Sequence, residues 1–501
     1  MMPMGKETMK TWTRRMLAAA ACASGLAGHA ALAAGTAVMI EAGDQALRED
    51  IQWLIDRRII DLTASTWPLP LAALEDALAR RAQVRLGQAD LVALRNVERI
   101  VAQHGQADYG MVAGLNTDRA PVLGFASQPR GRASGGAYVQ SGSGAVAGKL
   151  QVNALASPLT AKQSSGNFEG SYVAASFLGQ VAYAGALNHW WGPGMDGSVN
   201  WGNAATPIPG IGLQRAQQRA FSSPWLSWIG PWGYNVFAGQ LQHDTAVPGT
   251  RIFNMRVFVR PLPGLELGAS RFIEWGGAGR PSGLGTFWKA ITGNSNEIKP
   301  DPSNELSGFD ARYSMLVFGN PLSVYGQFAG EDEAGHLPSK YIALAGVQFK
   351  HLIGTTRLQW HAEAADTMVR RLFGRAAGDP GVAYAHSTYR NGLYQDGLPL
   401  GHPIGGDGRM VTVGLSVVPD DTRHFSRYGA RLLHADVNPL NQAINQAFPG
   451  KNRWTGGELT VDWVMRPVTL RAGLVYLRSH DPAIHDIASL MVTANIPLSK
   501  F

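Results

Sequence analysis

The feature that most constrains this chain is a two-residue alternation of apolar and polar side chains, repeated in short runs from Gly148 to Phe501. In Arg357-Leu358-Gln359-Trp360-His361-Ala362-Glu363-Ala364, one parity is Leu, Trp, Ala and Ala, and the other is Arg, Gln, His and Glu. Successive strand side chains point to opposite faces, so one face of such a run suits hydrocarbon and the other suits water. Lys149 to Ala154 and Val411 to Val417 follow the same rule. The clearest hairpin runs from Glu458 to Arg478. Leu459, Val461, Trp463 and Met465 share a face that continues, after Arg466-Pro467, through Val468, Leu470, Ala472, Leu474 and Tyr476. Glu458, Thr460, Asp462, Thr469 and Arg471 lie opposite. Many such runs in series predict an all-β transmembrane barrel, because a closed sheet leaves no backbone group unpaired in lipid. From Ala107 to Phe501 the runs amount to roughly eighteen antiparallel strands, the even number a single-chain bacterial barrel requires. A soluble β-sandwich or propeller is the alternative. The outward aromatics Trp360, Trp463 and Tyr476 favour the barrel, because such rings form girdles at membrane interfaces. The chain ends on Phe501 after Leu490, Val492, Ala494, Ile496 and Leu498, as a closing strand would, although Phe501 falls on the other parity unless a bulge intervenes.

The N-terminus reads as an export signal over residues 1–33. Lys6, Lys10, Arg14 and Arg15 make a positive start, Met16 to Leu26 is small and apolar, and Ala31-Leu32-Ala33 fits the small-residue cleavage rule. A membrane anchor is the competing reading, but the apolar stretch is short and rich in Ala and Gly. The single cysteine, Cys22, lies inside the signal. Lipoprotein cleavage before it would leave a very short apolar segment, so cleavage after Ala33 is expected. The mature chain then has no thiol, which excludes disulfides and cysteine metal sites. Removal of the signal, with four Lys/Arg and one Glu, takes the formal charge from +7 to +4, too modest and dispersed for a nucleic-acid partner.

Residues 34–106 change period. Leu47, Ile51, Leu54 and Ile55 make a helical stripe. Leu71, Leu74 and Leu78 make a second, begun by Pro68 and Pro70, and Leu91, Leu94, Val97 and Val101 a third, stopped by Gly105. This charge-rich segment predicts a small helical bundle on the periplasmic side, with the barrel over 107–501. The long Gly-, Pro- and Asn-rich connections Gly192–Gly210, Gly276–Asn304 and Arg375–Gly408 read as extracellular loops.

Catalytic signatures are absent: the chain has no H-E-x-x-H, no G-x-S-x-G and no glycine-rich phosphate loop, and its 13 His lack ligand spacing. No enzyme activity, cofactor or metal is expected. Asn188-His189 could belong to a lipid-hydrolysing triad, but adjacent strand residues point to opposite faces. The aromatic distribution is more informative, since eight of the 14 Trp lie between Trp190 and Trp288. Flat rings such as Trp190, Trp191, Trp201, Trp275 and Trp288 can stack on sugars. The alternative use is anchoring the barrel at the lipid interface. Arg370 and Arg371 could attract an acidic polymer, or could be lumen charges neutralised by acids such as Glu363.

Several motifs together resemble the Wzi family of capsule-assembly outer-membrane proteins. They are Thr66-Trp67-Pro68-Leu69, Trp190-Trp191-Gly192-Pro193-Gly194 followed by Asn200, Glu274-Trp275-Gly276-Gly277, and Tyr389-Arg390-Asn391-Gly392 with Pro399-Leu400-Gly401-His402. The resemblance implies a monomeric barrel in outer-membrane lipid, its lumen partly closed by N-terminal helices. It also implies a non-enzymatic, lectin-like protein that holds capsular polysaccharide or exopolysaccharide at the cell surface. On this reading the loop residues Trp190, Trp191, Trp201, Trp275, Trp288, Arg370, Arg371, Tyr389, Arg390 and His402 are the candidate polysaccharide contacts. A porin-like channel for oligosaccharides is the alternative, because wide barrels can be aqueous pores.

Overall fold

The computed structural model describes residues 36–118, 124–142, 144–242, 246–292, 303–334, 337–371, 379–442 and 445–501. The expected signal, with Cys22, lies outside them, as does the side chain of Arg371. Eighteen antiparallel strands close into one barrel. They are β1 (Asp108–Asn116), β2 (Gly131–Gly142), β3 (Val146–Pro158), β4 (Tyr172–Phe177), β5 (Gln180–Gly185), β6 (Gly210–Arg215), β7 (Trp232–Gln240), β8 (Arg251–Leu262) and β9 (Leu265–Trp275). The series continues with β10 (Ser303–Val317), β11 (Asn320–Ala334), β12 (Leu337–Ile353), β13 (Thr356–Arg371), β14 (Gly408–Val418), β15 (Arg427–Val437), β16 (Asn452–Met465), β17 (Val468–Ser479) and β18 (Ile487–Pro497). The short piece Gly166–Asn167 also pairs with β3, beside β4. Closure is made by β18 against β1, from Met491 opposite Asn116 to Pro497 opposite Gly110.

Parity behaves as the alternation requires. On β13, Arg357, Gln359 and Glu363 are buried inward while Trp360 is exposed outward. On β10, Asp310 and Arg312 point in and Phe309 and Tyr313 point out. Leu459, Trp463, Leu474 and Tyr476 of the β16–β17 hairpin are all exposed, as a lipid-facing band needs. The final strand stops earlier than its sequence implies. Pro497 ends β18, a single 3₁₀ turn over Leu498–Lys500 follows, and Phe501 stands free of the ladder and 80% exposed. This turn, rather than a bulge, resolves the parity conflict at the terminus.

Before the barrel come α1 (Gln45–Asp56), α2 (Leu71–Ala79) and α3 (Gln88–His104). Asp44 caps α1 by accepting the Leu47 amide, and Gly105 is the C-cap of α3. All four residues of the first stripe are buried. A fourth helix, α4 (Leu284–Thr292), lies in the connection read from sequence as a loop. Its flanking Gly and Pro residues concealed a nine-residue amphipathic stretch. Among the described residues no helix is long and apolar enough to cross a membrane.

The two ends of the barrel differ. The helices meet the end where most strand turns are short: Arg57 donates to the Gly319 carbonyl and Gln88 to Asp420. The long connections gather at the other end.

Candidate functional site

At the helical end the barrel wall carries inward cations, and α1 supplies their counter-ions. Asp56 accepts both guanidinium nitrogens of Arg312, at 2.7 and 2.9 Å, and the Lys350 ammonium at 2.7 Å. Burial works against ionisation of Asp56, but Arg312 and Lys350 outweigh it and hold the carboxyl below its usual range. Asp50 is ion-paired with Arg357 and accepts from Asn96 of α3 at 2.6 Å. Glu49 pairs with Arg427 and accepts from Ser416 at 2.8 Å and Gln359 at 3.1 Å. Each of these acids is almost fully buried, so an unpaired one would be strongly destabilising. The expectation that wall acids neutralise wall bases therefore holds only locally, as at Arg471 and Asp462, 2.8 Å apart. Much of the neutralisation comes from the helix. No residue spacing signals it, because the partners lie some 250–380 positions apart in the chain.

From the other end, the connection 186–209 turns into the lumen. Trp190-Trp191 forms a two-residue antiparallel ladder with Thr66-Trp67. Arg48 of α1 donates to the Gly194 carbonyl at 2.7 Å and lies over the rings of Phe125 and Trp190. The turn that follows is latched in both directions. Glu363 of the wall accepts the amides of Met195, Asp196 and Gly197 at 2.6, 3.0 and 3.1 Å, and the Tyr325 hydroxyl at 2.9 Å. Asp196 in turn accepts from Arg431 at 2.6 Å and Thr412 at 2.5 Å, and lies 2.8 Å from His361 Nε2. Glycine is required here by close approach: a Cβ on Gly192, at φ 137°, would meet the Gln327 side chain at 2.0 Å, and one on Gly197 would meet the His402 ring at 2.2 Å.

These facts relocate most of the predicted contacts. Trp190, Trp191 and Trp201 are 1%, 0% and 3% exposed. Trp201 stacks on His189 at 3.8 Å and packs edge-on against Trp191, Phe237 and Phe272. Their rings have no face open to a sugar, which corrects the expectation that this segment displays them. The apolar surface of the three Trp rings outweighs the polar loop composition around them and draws the segment inside. His402 is fully buried with its amide on Tyr384 Oη, and Tyr389 is buried with its hydroxyl on the Gly276 carbonyl. Trp275 follows the outward parity of β9, lies 5.0 Å from Phe287 of α4 and carries Arg251 at 5.0 Å. Trp288, 65% exposed, sits on the same helix. Both lie at the outer rim, outside the lumen. Arg370 pairs with Asp366 at 3.0 Å, which fits local neutralisation. Among the described side chains of the ten, Arg390 alone is an exposed charge on the long-loop end.

His189 is equally occupied. Nδ1 donates to the Leu187 carbonyl and Nε2 accepts from Tyr183, both at 2.9 Å, while burial pushes its pKa down to about 3. Asn188 bonds Arg130 and Glu41. Neither residue is arranged as half of a hydrolytic triad.

Above the aromatic cluster the long connections form a polar cap. Lys162 Nζ lies 3.0 Å from Gln446 Oε1, Gln446 donates to the Asn391 carbonyl at 2.7 Å, and Thr206 donates to Asp396 at 2.6 Å. Thr160 donates to the Asp396 carbonyl at 2.6 Å. Half-exposed amides, a lysine and Arg390 thus share one outer face. Sequence reasoning missed Lys162 and Gln446, because single polar loop residues carry no pattern.

Residues 123–486 match the family described as capsule assembly protein Wzi. A Klebsiella pneumoniae protein, called an uncharacterized 55.8 kDa protein in the cps region, is 36% identical over 469 residues, covering 92% of this chain and 89% of that one. The solved structure of Wzi, an outer-membrane protein involved in group 1 capsule assembly in Escherichia coli and described as a carbohydrate-binding β-barrel, superposes with a TM-score of 0.83 at 33% identity, covering 92% of this chain and 99% of that one. On family match, identity and coverage together, the chain belongs to the Wzi family of capsule assembly proteins.

Proposed function

We propose that this outer-membrane barrel binds capsular polysaccharide or exopolysaccharide on its cap and helps to hold it at the cell surface. One observation carries the reading: the chain's own helices and inward loop occupy the lumen, so a polymer meets the protein at the cap. The described carbohydrate binding of the E. coli relative supports it. On this reading the long-loop end is extracellular, the helical end is periplasmic, and residues 1–33 are the export signal. Arg390, Lys162 and Gln446 engage sugar hydroxyls and carboxylates. Each contact is weak, and polymer length supplies avidity through many simultaneous engagements. The barrel acts as a monomer in outer-membrane lipid, with no cofactor and no catalytic step.

The test is binding of purified chain to immobilised host polysaccharide, read beside Arg390→Ala/Lys162→Ala. Weaker retention by the double variant is expected. Equal retention would remove these residues from the reading, and absence of binding by the unaltered chain would sink it. A steady open conductance in planar bilayers would favour the channel alternative instead.

A further inference from the structure

At the helical end, on the outside of the barrel, three separate chain segments bring arginines together around an open pocket of ≈ 820 Å³. Arg95 comes from the exposed side of α3, Arg423 from the β14–β15 connection and Arg466 from the β16–β17 turn. All three are exposed, and among the described residues none is paired with a carboxylate. The pocket's other wall is apolar and aromatic. Trp463 and Met465 lie on the outward parity of β16, and the His424 ring meets Trp463 edge-on at 5.7 Å. The Arg466 guanidinium lies 5.6 Å over Phe425, which is itself buried against Val92, Val418 and Val464. The nearby acids are engaged by groups other than these guanidinium heads. Asp421 accepts the amides of Arg423 and His424 and the Ser426 hydroxyl, and lies 3.3 Å from His424 Nδ1, while Asp420 accepts from Gln88. Exposed Trp360 and Tyr428, outward on β13 and β15, continue the aromatic edge around this end.

The pocket therefore straddles two environments. Its lower rim is cationic, with Arg466 giving one donor to the Thr422 carbonyl at 3.3 Å and keeping others open, and its upper wall belongs to the lipid-facing band bounded by an aromatic girdle. Planar guanidinium groups match phosphate oxygens in charge and geometry. We propose that this pocket binds the phosphate of a membrane phospholipid headgroup, with the acyl chains lying along Trp463 and Met465. The continuity of the basic rim with the apolar wall favours a lipid over an acidic oligosaccharide, which would find the Trp463 and Met465 wall already in the membrane. The site is independent of the cap and of the polysaccharide reading.

Native mass spectrometry of the full chain in detergent tests this, with diacyl phosphatidylglycerol, diacylglycerol, glycerol 3-phosphate and an acidic oligosaccharide as probes. Phosphatidylglycerol should bind, and Arg423→Gln/Arg466→Gln should weaken it roughly tenfold or more, as expected for loss of two charge-assisted contacts. Arg478→Gln, at the opposite end, should bind as the unaltered chain does. Diacylglycerol and glycerol 3-phosphate should each bind more weakly than the whole lipid. Unchanged phosphatidylglycerol binding in the double variant would overturn the proposal. So would equal binding of diacylglycerol, which would make the site merely apolar, or equal binding of glycerol 3-phosphate, which would make it a free-phosphate site. Selective loss of the acidic oligosaccharide would also overturn it, in favour of a polymer site. Near-ultraviolet circular dichroism checks that each variant is folded, and Arg95→Gln, a surface change on α3, gives the same readout if the double variant is not.

Discussion

The lumen is filled by two masses of similar burial and opposite chemistry. At the helical end, three carboxylates of α1 reach wall cations on β10, β12, β13 and β15. At the long-loop end, Trp190, Trp191, Trp201 and His189 pack with Phe237 and Phe272, and the charged ties are fewer: the Asp196–Glu363 latch, and Arg130 bonded to Asn188 and to the Asn203 and Ala204 carbonyls. Ion pairs fix position and register, because a buried carboxylate must sit where the wall places its cations. Aromatic packing fixes volume and tolerates small shifts. The helices are thereby keyed to particular strands by ion pairs, whereas the inward loop is an aromatic mass held mainly by packing and by hydrogen bonds from residues such as Gln327 and Glu363.

The largest effects should come from emptying either mass. Asp56→Ala leaves Arg312 and Lys350 buried without their acid and should cost about 3–5 kcal/mol of unfolding free energy in detergent. Trp191→Ala opens a large cavity and should cost a comparable amount, about 3–5 kcal/mol. The comparison is sharpened by rescue. Adding Arg312→Met and Lys350→Met to Asp56→Ala should restore most of the loss, because an apolar set can replace a buried ionic one. If it restores nothing, the ionic account of the helical end fails.

Acid should separate the halves next. His189 and His402 are held neutral by burial, each with its pKa lowered from 6.5 to about 3. A histidine depressed in the native state takes up a proton first in the opened state, so stability at the loop end falls as pH drops from 6.5 toward 3. Asp56 is depressed too, but as an acid its contribution is complete above its unfolded value of about 3.9 and is lost only below that. Tryptophan fluorescence followed against pH should therefore show the aromatic end loosening before the helices separate from the wall. His189→Asn/His402→Gln should move that first transition below about pH 4. Simultaneous loosening of both ends at every pH would contradict the division.

A smaller effect is expected at the latch. Glu363→Gln removes the charge from an acceptor of three amides and should cost about 1.5–3 kcal/mol, seen as faster protease nicking of the 186–209 segment. Smallest of all is Arg390→Ala, an exposed change expected to alter stability by less than about 0.5 kcal/mol while weakening polymer retention. A large stability loss there would show that the cap residue is structural.

The barrel was legible because alternation is a local property: Leu358 and Trp360 could be assigned to the lipid side and Arg357 and Gln359 to the lumen from their order alone. The three N-terminal helices were legible for the same reason, through the spacing of Leu47, Ile51, Leu54 and Ile55. The site was far less legible. Tryptophan in a Gly- and Pro-rich connection reads as a displayed ring, and nothing local distinguishes Trp288, which is exposed, from Trp201, which is not. That difference depends on whether the connection turns outward or into the barrel, and the turn inward is made by partners such as Gln327 and Glu363 more than a hundred residues away.

By itself, then, the sequence determined the strand faces, the period change near residue 106 and, through its motifs, the family. The tertiary structure decided which charges neutralise which, that the Trp-Gly-Pro-Gly run packs the lumen, and that residues such as Lys162 and Gln446 come together in a polar cap. The physical reason is range. Side-chain alternation is set by the backbone within a few residues, whereas burial and ion pairing are set by whatever closure of the barrel brings alongside.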